Sequence, residues 1–240
     1  MTIAVVIPFR DRGIDPLRRQ NLTHVKEFWR GLDLGPVIVS SDGRIGNDQF
    51  NRSAAYNLGI KTVKADVYVF AESDMCLPEV QIHRGINMAD QGLGLVVPFT
   101  EYHYLGPKTS EMVRAGVISH NDAGAQYVMH GGRSIGAINI VSMATIRRIR
   151  WWDEKFEGNW YDDDAMKIAF EVCAGPTRWV PGPAHHLYHL PGHRGDHLTK
   201  ADKQATLANK QRLRLYELAL REPDQLKRVR MVRDLTEGIR

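Results

Sequence analysis

Four short apolar runs punctuate the N-terminal part of the chain: IAVVIPF, PVIVSSD, DVYVFAESD and LGLVVPF. Each is rich in Val or Ile and bounded by Gly, Pro or polar residues, the pattern of a strand buried on both faces. Between them, LRRQNLTHVKEFWRGL, FNRSAAYNLGIKTVK and PEVQIHRGINMADQ carry helical spacing. Asn47 and Asp48 are candidate caps of the second helix, and Pro78 lies near the first turn of the third. This alternation predicts an α/β fold with a mostly parallel central sheet flanked by helices. Ligands of such sheets gather at the carboxyl ends of the strands. The polar residues ending these runs, Arg10, Asp11 and Arg12, then Asp42, then Glu72 and Asp74, should therefore converge on one rim.

Residues 100–130 show no clean period, and the expectation there is a long loop over that rim. SIGAINIVS resumes as a strand, MATIRRI forms a short helix capped by Ser142, and WWDEKFEGNWYDDD leads into a helix at AMKIAFEV. TRWVPG and AHHLYHL read as a closing hairpin or edge strands. Beyond Thr199, Leu207, Ala208, Leu215, Leu218 and Ala219 recur at spacings of three and four, and Pro223 follows as a stop. The predicted organisation is one folded α/β domain over residues 1–198 and a basic helical extension over 199–240.

Composition narrows the class. The 240 residues are 43% hydrophobic and 25% charged, which supports a sizeable core and excludes disorder. The N-terminal apolar run is short and lacks a basic lead-in, so neither a signal peptide nor a membrane span is expected, and the protein reads as soluble and cytoplasmic. Cys76 and Cys173 have no CxxC spacing and read as reduced core residues. From Thr199 onward eleven Lys or Arg face six Asp or Glu, so the positive excess belongs to the tail. That face suits a polyanion such as nucleic acid, a solvated surface, or a homo-oligomer contact.

Three constellations carry candidate chemistry. Glu72, Ser73 and Asp74 end an apolar run, where carboxylates suit magnesium or manganese, although an acidic strand end is also an ordinary solvated turn. His185, His186 and His189 offer imidazoles to a transition metal in a Pro- and Gly-rich stretch. Asp162, Asp163 and Asp164 open a helix. First-turn acids oppose the helix dipole, but three in a row exceed that need, leaving one for a substrate hydroxyl as general base. Trp151, Trp152 and Trp160 precede them and suit either the core or stacking on a sugar face.

IPFRDR, FNRSAAYNLG, FAESDMCLP, the pair Gly131 and Gly132, FEGNWYDDD and HHLYH occur in the order of motifs found in the β-1,4-galactosyltransferase-like, metal-dependent glycosyltransferases of the GT-A fold. They resemble that family's IPFRNR, FNRAKLLNVG, DVDLIP, GG, WGWGGEDDD and MxxH segments, over roughly residues 5 to 190. The tail beyond about residue 198 is not covered. The animal enzymes' stem and membrane anchor have no counterpart in the sequence, so the expectation is a soluble relative of bacterial or phage type.

The resemblance implies roles position by position. Pro8, Phe9, Arg10 and Arg12 match one segment that holds the nucleotide of a UDP-sugar, and Phe50 and Arg52 match another; Asp42 on the same rim joins this donor-contacting set. Asp74 matches the metal-binding carboxylate, with Glu72 at the first acidic position. His189 matches the metal-binding histidine, and His186 stands where the family often has methionine. Asp162 falls where the catalytic base is placed, Trp160 lies near the sugar-binding tryptophan, and Gly131 and Gly132 match a loop beside the donor. Tyr161 replaces the Glu that precedes the family's aspartates, so Asp162 and Asp163 both stand as base. The expected reaction is inverting transfer of a hexose from a UDP-sugar, with manganese or magnesium, to a glycan, a protein or modified DNA. Two rivals remain: a catalytically inactive binder of nucleic acid or carbohydrate, and a sugar-phosphate nucleotidyltransferase, for which a Gly-rich phosphate loop is missing after the first strand.

Overall fold

The computed structural model describes residues 1–46, 48–130, 135–158, 160–191 and 198–237. The first half contains β1 (Ile3–Pro8), α1 (Pro16–Gly31), β2 (Val37–Ser40), α2 (Arg52–Thr62), β3 (Val67–Ala71), β4 (Met75–Cys76), α3 (Glu79–Gln91) and β5 (Val96–Val97). Next come β6 (Glu101–Tyr104), α4 (Pro107–Arg114), a 3₁₀ turn (His120–Asp122), β7 (Tyr127–His130), β8 (Ile138–Ser142) and α5 (Met143–Ile149). The chain finishes with α6 (Asp162–Cys173), β9 (Arg178–Trp179), β10 (Pro183–His186), α7 (Lys200–Leu220) and α8 (Gln225–Thr236).

Local chemistry explains the starts of the helices. Asp15 accepts from the Leu17 amide and Pro16 presets the first turn of α1. Asn51, rather than Asp48, caps α2 by accepting from the Ala54 amide at 2.8 Å; Asn47 lies outside the described residues. Gly59 lets α2 rest directly on β1, where an added Cβ would lie 2.4 Å from Val6 Cγ1. Ser142 caps α5 as expected.

Strands form a six-stranded sheet, β2-β1-β3-β8-β5-β9, and a four-stranded one, β4-β10-β6-β7. β1 pairs in parallel with β2 and β3, and all of β3 is buried, as its unbroken apolar run requires. The sheet is mixed, however: β8 runs antiparallel to both β3 and β5. It begins at the rim where β3 ends, Ile138 opposite Ala71, because the chain has just returned from the β6–β7 excursion there. Residues 100–130 are thus not an irregular loop. β6 and β7 pair antiparallel, and their four-residue length with Glu and His beside tyrosines leaves no long hydrophobic period to read. β9 and β10 do not form a hairpin. β9 edges the first sheet, while β10 lies inside the second between β4 and β6.

α7 is the helix expected beyond Thr199, but it packs through Asp202, Asn209, Tyr216 and Ala219, while Leu207, Leu215 and Leu218 stay 63%, 41% and 55% exposed. Tyr216 and Arg212 reach the buried Asp153 carboxylate at 2.8 and 2.6 Å. α8 is an element the hydrophobic pattern did not announce; Asp224 caps it, and Thr236 donates to the Ile149 carbonyl at 2.5 Å. Both cysteines are buried and free. Among the described residues no helix is long and apolar enough to cross a membrane.

Candidate active site

Where β3 ends at the rim, the chain turns so that the Glu72 amide donates to the Ala137 carbonyl and the Met75 amide to that of Glu72. The turn points Asp74 at β10. The register opposes His186 to Met75, and the Leu187 amide donates to the Asp74 carbonyl at 2.8 Å, fixing the two segments together. His189 Nε2 then lies 3.0 Å from Asp74 Oδ2, His186 Nε2 lies 3.9 Å from Asp74 Oδ1, and the two Nε2 atoms are 3.2 Å apart. His185 is not part of this group: strand alternation turns it to the other face of β10, beside the rings of His103 and His120 at 5.3 and 5.7 Å.

The donor set fits a divalent cation. His189 Nδ1 donates to the Leu190 carbonyl at 2.7 Å, which leaves the Nε2 lone pair facing Asp74. Burial pushes His186 down to about 4, against the pull of Asp74, so its imidazole is neutral and ligand-ready. Burial opposes ionisation of Asp74, yet the charge of His186 and His189 in their protonated forms, with Arg18 adding, outweighs it and holds the carboxyl below the usual carboxylate range; the same carboxylate is then free to ligate a cation in place of those protons. Its buried Oδ1 has no hydrogen-bond partner, and three electron-rich atoms turned on one another call for a cation between them. Ligand atoms about 2.1 Å from an octahedral ion sit about 3 Å apart at right angles, matching the closer spacings here.

Arg52, the first residue of α2, gathers the other acids. Its guanidinium pairs with Glu72, with Asp162 through Nε at 2.9 Å, and with Asp163 Oδ1 at 2.7 Å. One cation among three carboxylates leaves buried negative charge in excess. Burial raises the Asp163 carboxyl to about 7, with Arg52 opposing and Asp162 and Glu72 adding to the rise. Asp163 lines a cleft of about 460 Å³, together with Arg52, Glu72, Asp74, His186 and His189. Asp162 does not; its carboxylate sits behind Arg52. Asp164 is exposed at the cleft edge.

A narrower pocket of about 120 Å³ continues from this cleft between α1 and the β1 rim, lined by Pro8, Phe9, Arg10, Arg12 and Phe50. Asp42 lines neither space. It is consumed in holding the rim together, accepting from Arg10 Nε at 2.8 Å, the Asn51 amide at 2.9 Å and the Arg44 amide at 3.2 Å. Asp42 thereby positions the cap of α2 and, through it, Arg52. Gly131 and Gly132 lie outside the described residues.

Trp160 lines the cleft and is 51% exposed. Its φ is 75°, Tyr161 follows at 70°, and Ala137 across the cleft has 92°. These three non-glycine residues in the left-handed region, each costing on the order of 1–3 kcal/mol, lie around the cleft. The strained turn is held from outside by α7. Asn209 donates to the carbonyls of Glu157 and Trp160 at 2.8 and 3.1 Å and accepts from the Glu157 amide, and Asp202 pairs with Arg12 at 3.1 Å. Sequence reading missed these braces, and it missed Arg18, Tyr102 and Tyr104, which also line the cleft. The tyrosines carried a signal, since i, i+2 spacing in EYHY puts both on one strand face.

No protein-family model matches the chain, and no curated protein does. Solved structures do. A variant of Drosophila β1,4-galactosyltransferase 7, in complex with manganese, UDP-Gal and xylobiose, superposes with a TM-score of 0.54 at 13% identity, over 85% of this chain and 79% of that one. Glucosyl-3-phosphoglycerate synthase from Mycobacterium tuberculosis, in complex with Mn2+, UDP-glucose and phosphoglyceric acid, gives 0.50 at 13% identity, over 91% and 79%. Mixed sheet, rim site and structural neighbours together assign the chain the GT-A fold of glycosyltransferases.

Proposed function

We propose that the protein is an inverting, metal-dependent glycosyltransferase that moves a hexose from a UDP-sugar to an acceptor hydroxyl. The observation that carries this reading is the placement of Asp74, His186 and His189 in the same cleft as Asp163, whose carboxyl titrates near neutrality. The manganese and UDP-sugars in the neighbouring structures support it. The nucleotide would lie against Pro8, Phe9 and Phe50, with its diphosphate directed toward Asp74. When bound there, a divalent cation, manganese first and magnesium second, supplies charge neutralisation for the departing diphosphate.

The residues of the chain do the rest. Asp163 takes the proton of the acceptor hydroxyl as that oxygen attacks the anomeric carbon, and the bond from this carbon to the β-phosphate oxygen breaks with its electron pair leaving on UDP. One displacement from the opposite face inverts the anomeric configuration without a covalent sugar–enzyme intermediate. Facing the cleft favours Asp163 over Asp162 as the base, and Asp162 instead orients Arg52. Trp160 offers a flat apolar surface beside these carboxylates, suited to a sugar's C–H face.

Incubation with UDP-glucose, UDP-galactose and UDP-N-acetylhexosamines, with and without manganese, tests the reading by UDP release. Manganese-dependent release that disappears in Asp74→Ala is expected. Release persisting in a chelator or in Asp74→Ala overturns the metal assignment, and full activity in a double Asp162→Ala, Asp163→Ala variant overturns the base.

A further inference from the structure

We propose that Arg18, in the first turn of α1, binds the β-phosphate of the donor and takes up the charge that develops there as the sugar leaves. The inference rests on the nucleotide-sugar reading above. Arg18 lines both the narrow pocket and the wider cleft, so it stands where a nucleotide lying along Phe9 and Phe50 must pass toward the metal ligands. Its Nη1 is 4.0 Å from Asp74 Oδ2, and its side chain is 39% exposed, toward the open space.

The other arginines of this rim are already engaged. Arg10 is bound by Asp42 and by the Gly46 and Asp48 carbonyls, Arg12 by Asp202, Arg19 by Asp11, and Arg52 by three carboxylates. Among the described residues Arg18 has only the long approach to Asp74 as an ion pair, which leaves its guanidinium directed at the space beside the metal ligands, where a phosphate held by a cation on Asp74 would lie. Its position relative to the metal ligands is fixed, because Asp15 both caps α1 and accepts from the Leu190 amide at 2.6 Å, one residue beyond His189. Breaking the bond from the anomeric carbon to the β-phosphate oxygen adds one negative charge to that phosphate, so a guanidinium there binds the product side more strongly than the ground state.

The test is calorimetric titration of the full chain with UDP and with UMP, in manganese chloride, for wild type, Arg18→Gln and Arg18→Lys. Arg18→Gln is expected to weaken UDP roughly 10- to 100-fold, the worth of a charge-assisted hydrogen bond, and UMP by less than about threefold. Arg18→Lys should recover part of the UDP affinity as a point charge without the fork. Equal losses for both nucleotides, no loss for either, or a fall in Tm shared by both variants overturns the role of Arg18. Wild type that binds neither nucleotide overturns the nucleotide-sugar reading itself, and this inference with it.

Discussion

At the scale of single residues the site is an arrangement of charge that water would not tolerate unpaired. Glu72, Asp162 and Asp163 share one half-buried guanidinium, and Asp74 is opposed by imidazoles of which His186 is neutral. The excess is relieved at Asp163, pushed up to about 7 by burial. If Asp163 is the base, as proposed, it must be ionised, so kcat/KM for transfer should rise with pH through about 7 and then level. Asp163→Asn should remove that limb and lower the rate by about 10²–10⁴-fold. Its effect on stability has the opposite sign. The folded value lies above the ordinary 3.8, so the contribution of this group is complete below about pH 4 and lost as pH rises through about 7. Asp163→Asn, which can still accept from Arg52, should therefore raise Tm at pH 8 and leave it nearly unchanged at pH 4. A pH–rate profile and paired melting curves check both. The acids and histidines of this site were readable because they cluster in three short stretches, 72–74, 162–164 and 185–189. Arg18 was not, because one arginine in an amphipathic helix has the appearance of any solvated residue.

At the scale of elements, the parallel β1-β2-β3 core was readable from unbroken apolar runs, and the second sheet was not, because short strands order themselves through backbone pairing that leaves little trace in hydrophobicity. α7 shows the same limit. Its helical period was plain, yet the buried face carries Asp202, Asn209 and Tyr216, polar groups that a hydrophobic criterion assigns to solvent. They are inside because they bond the site. Asn209 matters most, since the turn it holds keeps Trp160 and Tyr161 in left-handed backbone conformations. Asn209→Ala should cost about 1–3 kcal/mol by leaving the Glu157 and Trp160 carbonyls short of a donor. It should also lower kcat/KM for the donor by about tenfold or more, because Trp160 is displaced from the cleft. Melting curves and steady-state kinetics on one preparation separate the two effects. A lowered Tm with unchanged kcat/KM would make Asn209 a purely structural brace.

For the whole molecule, the question is whether the basic tail is an appendage or part of the folded unit. Residues from Thr199 carry eleven Lys or Arg against six Asp or Glu, which in isolation suggests a detachable polyanion-binding arm. The structure gives these charges unequal jobs. Arg212 is spent on buried Asp153 and Arg233 on the Arg148 carbonyl, whereas Lys203, Lys210 and Arg214 are exposed. Tyr216, Ala219, Val232 and Thr236 are buried in the same core cluster or against it. Losing one large buried side chain costs about 3–5 kcal/mol, against a total stability of about 5–15 kcal/mol. Deleting residues 199–240 is therefore expected to abolish cooperative thermal unfolding, and with it UDP-sugar turnover, whatever the acceptor. Replacing Lys203, Lys210 and Arg214 by Glu removes the same charge from the surface without touching the packed face. It should leave Tm within about 2 °C and donor turnover within about twofold. If the deletion variant instead melts cooperatively near wild type, α7 and α8 are an independent extension; if the charge-reversed variant unfolds, those side chains hold the fold together, and the distinction between a packed face and a charged face of α7 fails.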